Sequence, residues 1–371
     1  MTLYVTGGHL TPALAVIDEI VKRDLKIKLR FVGREFSQAQ TQQPSRERAE
    51  MEKRKIPFVA ITAAKFHRTH LSKNILEVLK FPISIAQIIR EFRKHKPDFI
   101  LSFGGYLAVP VCLVGKFYGA KVITHEQTKV AGLANQILGL FVDTVAVAHE
   151  ESVQYFPPGK TVLTGNPIRE VLFREYKTAP SWCSDAYKSK PILYVTGGSQ
   201  GSHIINQTIV SLLPKLVRDF YVVHQCGVSL DQETLKDLIR EREKLPQELQ
   251  DNYSVREWIE EKEVSYFLRN SKFVICRAGA NTVQELILAG TPAIFIPLAY
   301  AYNDEQYKNA LPLVEHDASI LLAQKDLYPE SLYAEISTML RRYDTIKAHM
   351  EEESTKLIKN GTNRLIKLLL V

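Results

Sequence analysis

The sequence predicts an α/β protein built from two doubly wound parallel-sheet domains in tandem. Three observations predict it. Short apolar or β-branched runs alternate with longer helical patterns along the whole chain, which is the pattern of parallel strands joined by right-handed crossovers. Eleven such strand runs are many for one sheet. The phrase LYVTGG stands at Leu3–Gly8 and again at Leu193–Gly198, 190 residues later, so the pattern restarts. A length of 371 residues agrees with two domains.

In the first half the strand runs are 3–6, 27–32, 57–61, 98–102, 121–124 and 144–147. In the second half they are 191–196, 220–224, 273–276, 293–296 and 318–321. Helical patterns lie between them, such as ALAVIDEIVKR from Ala13 and TVQELILAG from Thr282. The stretch 164–191 carries three prolines and little periodicity, and is the expected joint. The expected domains are 1–163 and 164–349, with the last helix, over 350–371, crossing back to the first.

Composition narrows the class. Hydrophobic residues make up 45% and charged residues 24%, an ordinary globular mix. The four cysteines (Cys112, Cys183, Cys226, Cys276) are scattered, which argues against a zinc site or a disulfide framework and suits a reducing cytosol. The first strand run starts at residue 2, so no leader is expected. The most apolar run, 99–114, is broken by Gly104, Gly105 and Pro110 and is too short to span a bilayer. Net charge is +7, and eight Lys/Arg fall between 65 and 97 against Glu77 and Glu91. That stretch reads as a solvated helix face or as a contact with an anionic membrane or substrate. In 71–94, Ile75, Leu79, Ile83 and Ile85 are expected to form an apolar rim beside Arg68, Lys73 and Lys80, with Pro82 kinking or dividing the helix. No aromatic-interleaved basic stripe points to nucleic acid.

A strand ending in Thr-Gly-Gly before a helix leaves backbone N–H groups pointing out of a glycine turn, at the sheet edge where ligands bind. Two copies suggest two ligands, facing each other across a cleft. In VTGGSQGSHIIN, Gly197, Gly198, Ser199, Gln200 and Gly201 precede a helix and suit a phosphate. In CRAGANTVQELILAG a strand ends, Arg277–Ala280 turns, and the first-turn amides of Ala280, Asn281, Thr282 and Val283 can again hold phosphate. Glu285 lies one turn on, where a carboxylate can accept from both hydroxyls of a ribose. NDEQYKNA (303–310) opens another helix with groups able to read sugar hydroxyls.

Together, RAGANTVQELILAGTPAIFIPL…NDEQYKNA, VTGGSQGSHIIN, LTGNPIR, SFGGYLAVP and THEQTKVAGLANQIL resemble the MurG family over nearly the whole chain and in the right order. That family converts lipid I to lipid II in peptidoglycan synthesis with UDP-N-acetylglucosamine (UDP-GlcNAc). The resemblance implies a GT-B fold: two Rossmann-like domains, acceptor on the N-terminal one and donor mainly on the C-terminal one. It implies an inverting reaction without a metal or other cofactor, on the inner face of the cell membrane, and the chain has no Asp-x-Asp to hold a metal on the diphosphate.

Residue by residue, the resemblance puts Ser199 and Arg169 at the diphosphate, and the backbone of Ile259 at uracil. It puts Glu285 on the ribose and Gln306 on the GlcNAc hydroxyls. Glu305 stands where the family usually has Gln or His. On the acceptor side the first glycine loop looks shortened to Thr6-Gly7-Gly8-His9, and the usual Asn after His125-Glu126-Gln127 is Thr128. Gly104, Gly105, Tyr106, Gln127 and Thr128 remain as acceptor groups, and Lys129 is an added charge. For the base that takes the acceptor proton, His9 comes first, on the glycine loop with a near-neutral pKa, and Glu126 second. Other readings are a GT-B enzyme acting on another lipid, a UDP-GlcNAc 2-epimerase, and a non-catalytic UDP-sugar binder.

Overall fold

The computed structural model describes residues 1–38, 41–62, 80–198, 200–228, 233–300 and 304–370. Contacts divide the chain into two units: Met1–Arg169 with Ile358–Val371, and Glu170–Leu357. Both have α/β architecture, and each is described separately below.

The first unit is built on a seven-stranded sheet in the order β5-β2-β1-β6-β7-β8-β9. Its strands are β1 (Thr2–Thr6), β2 (Lys28–Gly33), β5 (Phe58–Ala60), β6 (Phe99–Ser102), β7 (Lys121–Glu126), β8 (Thr144–Val147) and β9 (Thr161–Leu163). Every pairing is parallel. A two-stranded antiparallel ribbon, β3 (Phe36–Gln38) and β4 (Thr41–Pro44), lies outside that sheet. The helices are α1 (Leu10–Lys22), α2 (Arg46–Lys53), α3 (Lys80–Lys94), α4 (Ala108–Phe117) and α5 (Leu133–Gly139).

Side chains alternate across a strand, and β1 shows what this does. Leu3 and Val5 enter one core with Ala13, Val16, Ile17 and Ile20 of α1, whereas Tyr4 enters the opposite core with Ile88 and Phe92 of α3. A strand buried on both faces is apolar throughout, which is why the central strands were legible as continuous runs.

The second unit has a six-stranded parallel sheet in the order β12-β11-β10-β13-β14-β15. The strands are β10 (Ile192–Thr196), β11 (Tyr221–Gln225), β12 (Tyr253–Arg256), β13 (Ser271–Cys276), β14 (Ala293–Phe295) and β15 (Ile320–Leu321). Its helices are α6 (His203–Asp219), α7 (Glu233–Glu243), α8 (Gln247–Gln250), α9 (Glu261–Asn270), α10 (Ala280–Ala289), α11 (Glu305–Glu315), α12 (Pro329–Arg341) and α13 (Tyr343–Lys356). The last helix, α14 (Gly361–Leu370), belongs to the first unit.

The first unit continues past residue 163 for a local reason. Gly361 lies so close to the Asn166 backbone that a Cβ there would come within 2.5 Å of its carbonyl oxygen. Thr362 Oγ1 donates to the Ile168 carbonyl at 3.2 Å, so 164–169 and the final segment hold each other. Helix α13 stays with the second unit, where Lys347 Nζ donates to the Gly290 carbonyl at 2.6 Å.

Two sheet orders reverse direction at a central strand. In such sheets the crevice beyond the carboxyl ends, at the strand where order reverses, is the ligand position. In the first unit this lies at β1 and β6, and in the second at β10 and β13. All four strands run straight into the motifs singled out in the sequence. Among the described residues, no helix is long and apolar enough to cross a membrane.

Candidate active site

In the first unit two glycine turns interlock. Gly8 N–H donates to the Gly104 carbonyl at 2.9 Å. Gly7 has φ +140°, and a Cβ there would lie 2.7 Å from the Phe103 backbone. Only glycine accepts both conditions. His9 then serves as the N-cap of α1 in extended conformation, with no cap hydrogen bond from its side chain. Its ring is therefore not used up by the helix end. His9 is half-buried. Desolvation pushes its pKa below the usual histidine range, and the Glu126 carboxylate acts against that shift without reversing it. The imidazole is neutral at pH 7, the form a base requires.

Glu126 ends β7 and is 3% exposed. One carboxylate oxygen accepts from Thr128 N (2.9 Å) and Thr128 Oγ1 (2.7 Å). The other accepts from Gly132 N (2.9 Å) and Asn135 Nδ2 (2.9 Å). Four donors fill about four lone-pair positions. The carboxylate thus shapes the 126–132 turn. Thr128, at the position where the resemblance leads one to expect Asn, supplies two of the four donors.

Asn135 was not singled out in the sequence, yet it ties this site together. It donates to the His125 carbonyl at 3.1 Å as well as to Glu126, and accepts from Thr124 Oγ1 at 2.8 Å. Its amide also closes over Gly104, where a Cβ would approach it to 2.8 Å. His125 Nε2 donates to the Gly165 carbonyl at 3.1 Å, and burial lowers its pKa to about 4. Thr6 Oγ1, His125 Nδ1 and Gln127 Oε1 are buried without a hydrogen-bond partner. Tyr106 receives a 3.3 Å hydrogen bond from Arg34 Nη1 on its hydroxyl. Lys129 pairs with Glu151 at 2.5 Å, so its charge is already engaged.

In the second unit the glycine loop after β10 rests on the turn after β11. Gly201 has φ +72°, and a Cβ on it would collide with the Cys226 carbonyl. Gly198 N–H donates to Thr196 Oγ1 at 3.0 Å. Gln200 is exposed beside this loop, and Ser199 lies outside the described residues. After β13, Arg277 ties two other loops to its own: Nη2 donates to Ser202 Oγ at 2.7 Å, and Nη1 to the carbonyls of Ile296 (3.0 Å) and Pro297 (3.3 Å). Sequence reading passed over Arg277 as a turn residue, because its partners are 19 to 75 positions away.

Helix α10 has Gly279 as N-cap, with no side-chain cap and no acid in its first turn. Val283 N–H, expected from the sequence to hold phosphate, instead donates to the Gly279 carbonyl at 3.0 Å and closes the first hydrogen bond of the helix. Glu285 is half-buried in its second turn. Ile259 is fully buried in the β12–α9 connection. Gln306 Oε1 accepts from Leu298 N at 3.0 Å, which fixes the amide in α11. Arg169 is half-buried at the end of the first unit's long segment. No group of three or more His, Cys, Asp or Glu able to hold a metal occurs among the described residues.

Comparison with known proteins follows this geometry. Residues 5–147 match the glycosyltransferase family 28 N-terminal domain, and residues 192–367 match the family 28 C-terminal domain. The chain is 30% identical over 365 residues to the UDP-N-acetylglucosamine--N-acetylmuramyl-(pentapeptide) pyrophosphoryl-undecaprenol N-acetylglucosamine transferase of Bacillus cytotoxicus, covering 98% of this chain and 96% of that one. The enzyme of the same name from Caldanaerobacter subterraneus subsp. tengcongensis is 32% identical, covering 98% and 96%. Among solved structures, Acinetobacter baumannii MurG superposes with a TM-score of 0.69 at 23% identity, covering 100% of this chain and 99% of that one, which bears on the fold. With both family-28 domains in order and end-to-end identity to enzymes of that name, the chain belongs to the MurG family of glycosyltransferases.

Proposed function

We propose that the chain transfers GlcNAc from UDP-GlcNAc to the 4-hydroxyl of the N-acetylmuramic acid of lipid I, giving lipid II. The end-to-end identity to transferases of that specificity carries this reading. The site chemistry supports it. His9 takes the acceptor hydroxyl proton, the oxygen attacks the anomeric carbon, and the bond from that carbon to the diphosphate oxygen breaks. UDP leaves with the bonding pair, and the configuration inverts from α to β.

The neutral, uncapped His9 suits the base role better than Glu126, whose carboxylate already accepts four hydrogen bonds. Glu126 then holds the turn that carries Gln127 and Thr128. The unpartnered buried atoms of Thr6 and Gln127 are the kind of group that sugar hydroxyls would satisfy. On the donor side, Arg169, Ser199 and the N-terminal turn of α10 ahead of Val283 stabilise charge growing on the diphosphate, with Gln200 flanking the loop. Ile259 reads uracil, Glu285 the ribose, and Gln306 the GlcNAc with Asn281 and Thr282 beside it. Analysis of the product's new linkage tests the displacement: a β linkage is expected, and an α linkage would overturn it.

Glu285→Ala is expected to weaken UDP binding about tenfold or more, since ribose hydroxyls lose a charged acceptor worth about 1–3 kcal/mol. Calorimetry checks it, and unchanged affinity would remove Glu285 from the ribose.

The membrane partner rests on charge and apolar exposure. Arg68, Lys73, Ile75 and Leu79 lie outside the described residues. Helix α3 is described from 80 to 94 and carries Pro82; the residues on the other side of the expected kink lie outside the described residues. Ile83 is exposed, but Ile85 packs on the core and leaves the expected rim. On α5, Leu133 and Ile137 are 55% and 42% exposed, and Leu140 just beyond it is 71% exposed. We expect salt-sensitive pelleting with anionic vesicles, each basic residue contributing about 1 kcal/mol near the surface. Joint Lys73→Glu and Lys80→Glu replacement should release the protein, and equal pelleting would remove this segment from the contact.

A further inference from the structure

The geometry points to His224 as a positioning residue for the donor loop, acting through a buried hydrogen-bond chain that begins at Tyr253 and ends beneath Gly201. This rests on the reading of the β10–α6 loop as the diphosphate site. Four observations carry it.

First, His224, Tyr253 and Asn206 are all buried, yet each polar end is paired. His224 Nδ1 lies 2.8 Å from Tyr253 Oη, and Nε2 lies 3.0 Å from Asn206 Oδ1. Asn206 Nδ2 donates to the Cys226 carbonyl at 3.1 Å.

Second, the direction of every bond follows from its end. A carbonyl only accepts, so Asn206 must present its NH2 to Cys226 and its oxygen to His224. His224 Nε2 therefore carries the proton and donates, Nδ1 accepts, and Tyr253 donates to it. The chain runs one way only, from the edge strand β12 through β11 to the first turns of α6. The Tyr253-to-His224 direction belongs to the neutral imidazole, the form that burial favours by lowering the His224 pKa to about 3.

Third, its endpoint is the floor of the glycine loop. A Cβ on Gly201 would strike the Cys226 carbonyl, and a Cβ on Gly227 would strike Gly201 N. Moving the Cys226 carbonyl therefore moves Gly201, and Gly201 N–H is held to the Gly198 carbonyl at 3.1 Å. Fourth, the Cys226 N–H donates to the Arg256 carbonyl at 2.9 Å, so the same turn is fastened to β12 on its other side. His224 sits between the two fastenings and touches no substrate in this account.

His224→Phe keeps a ring of similar size and removes both links. It is expected to raise the Kd of UDP and the KM of UDP-GlcNAc about tenfold, the equivalent of about one hydrogen bond at 1.4 kcal/mol. The KM of the acceptor and kcat at saturating donor should stay within about threefold. Tyr253→Phe keeps the His224–Asn206 link and should raise the same donor constants by a smaller, roughly threefold, step.

A lower melting temperature with unchanged Kd for UDP would make His224 structural only and overturn the proposal. So would an equal rise in donor and acceptor KM. If His224→Phe does not yield folded protein, Tyr253→Phe decides alone: a raised Kd supports the chain and an unchanged Kd overturns it. Ser199→Ala, run in parallel, separates the premises. Loss of UDP affinity there with none in the His224 and Tyr253 variants overturns this inference alone, whereas unchanged affinity in all three withdraws the diphosphate reading of the β10–α6 loop.

Discussion

His9→Ala is expected to lower turnover by about two to four orders of magnitude while UDP binds as before. The size follows from what the residue does. A positioned base removes a proton that would otherwise leave to water, and its loss appears in kcat. The affinity for UDP should hold, because the β1–α1 loop that carries His9 is assigned to the acceptor and no UDP contact is assigned to it. The pH profile gives the sharper readout. A base must be deprotonated, and desolvation lowers the His9 pKa, so the acidic limb of kcat/KM should fall below pH 6.5. That limb should vanish in His9→Ala. Glu126→Gln is not its mirror image. The new NH2 would face donors, either Thr128 N and Oγ1 or Gly132 N and Asn135 Nδ2, and would disturb the turn whatever its chemistry. Loss of activity in Glu126→Gln with the acidic limb intact therefore marks a positioning role. Survival of turnover in His9→Ala would make Glu126 the base.

Acidification from pH 7.5 to pH 5 should destabilise the second unit by about 2 kcal/mol through one histidine, and the first unit by more, because several contribute there. In the first unit burial lowers the pKa of His125 and of His149 to about 4 and lowers that of His9, and in the second it lowers His224 to about 3. The sign follows from proton counts. Below about pH 6.5 the unfolded histidine binds a proton that the folded one refuses. The unfolded state thus gains as pH falls, and stability present at neutral pH is lost progressively between 6.5 and the folded value. Burial is the first cause for His125, His149 and His224: a proton on His125 Nδ1 would lie buried without a partner, and one on His224 Nδ1 would displace the Tyr253 donor. Thermal melting at pH 7.5, 6 and 5 checks it, and a flat response would contradict the buried-neutral assignment. His224→Phe should flatten the second unit's share.

Central strands were legible because burial on both faces leaves a continuous apolar run, as in ILYVT of β10. The strands that escaped notice are short and lie at edges or outside the sheet. Tyr253–Arg256 reads YSVR and Thr161–Leu163 has only three residues, and the β3–β4 ribbon is polar, so no apolar run marks any of them. The glycine turns were visible as doublets, since Gly7 must approach the Phe103 backbone and no other residue can. What holds those turns was not visible. Asn135 meets Gly104, Arg277 meets Ser202, and His224 meets Tyr253, each across long sequence separations that only the sheet order brings together. The saturation of Glu126 is local in sequence but depends on a turn conformation that its residue types alone do not dictate.

The most direct test of transfer to a lipid-linked acceptor is incubation with radiolabelled UDP-GlcNAc, with and without lipid I, followed by separation of lipid and water-soluble products. The account predicts label in the lipid fraction, UDP released one for one, and neither without the acceptor. Consumption of UDP-GlcNAc to its C2 epimer without lipid I, or binding of UDP with no label transferred, would contradict it.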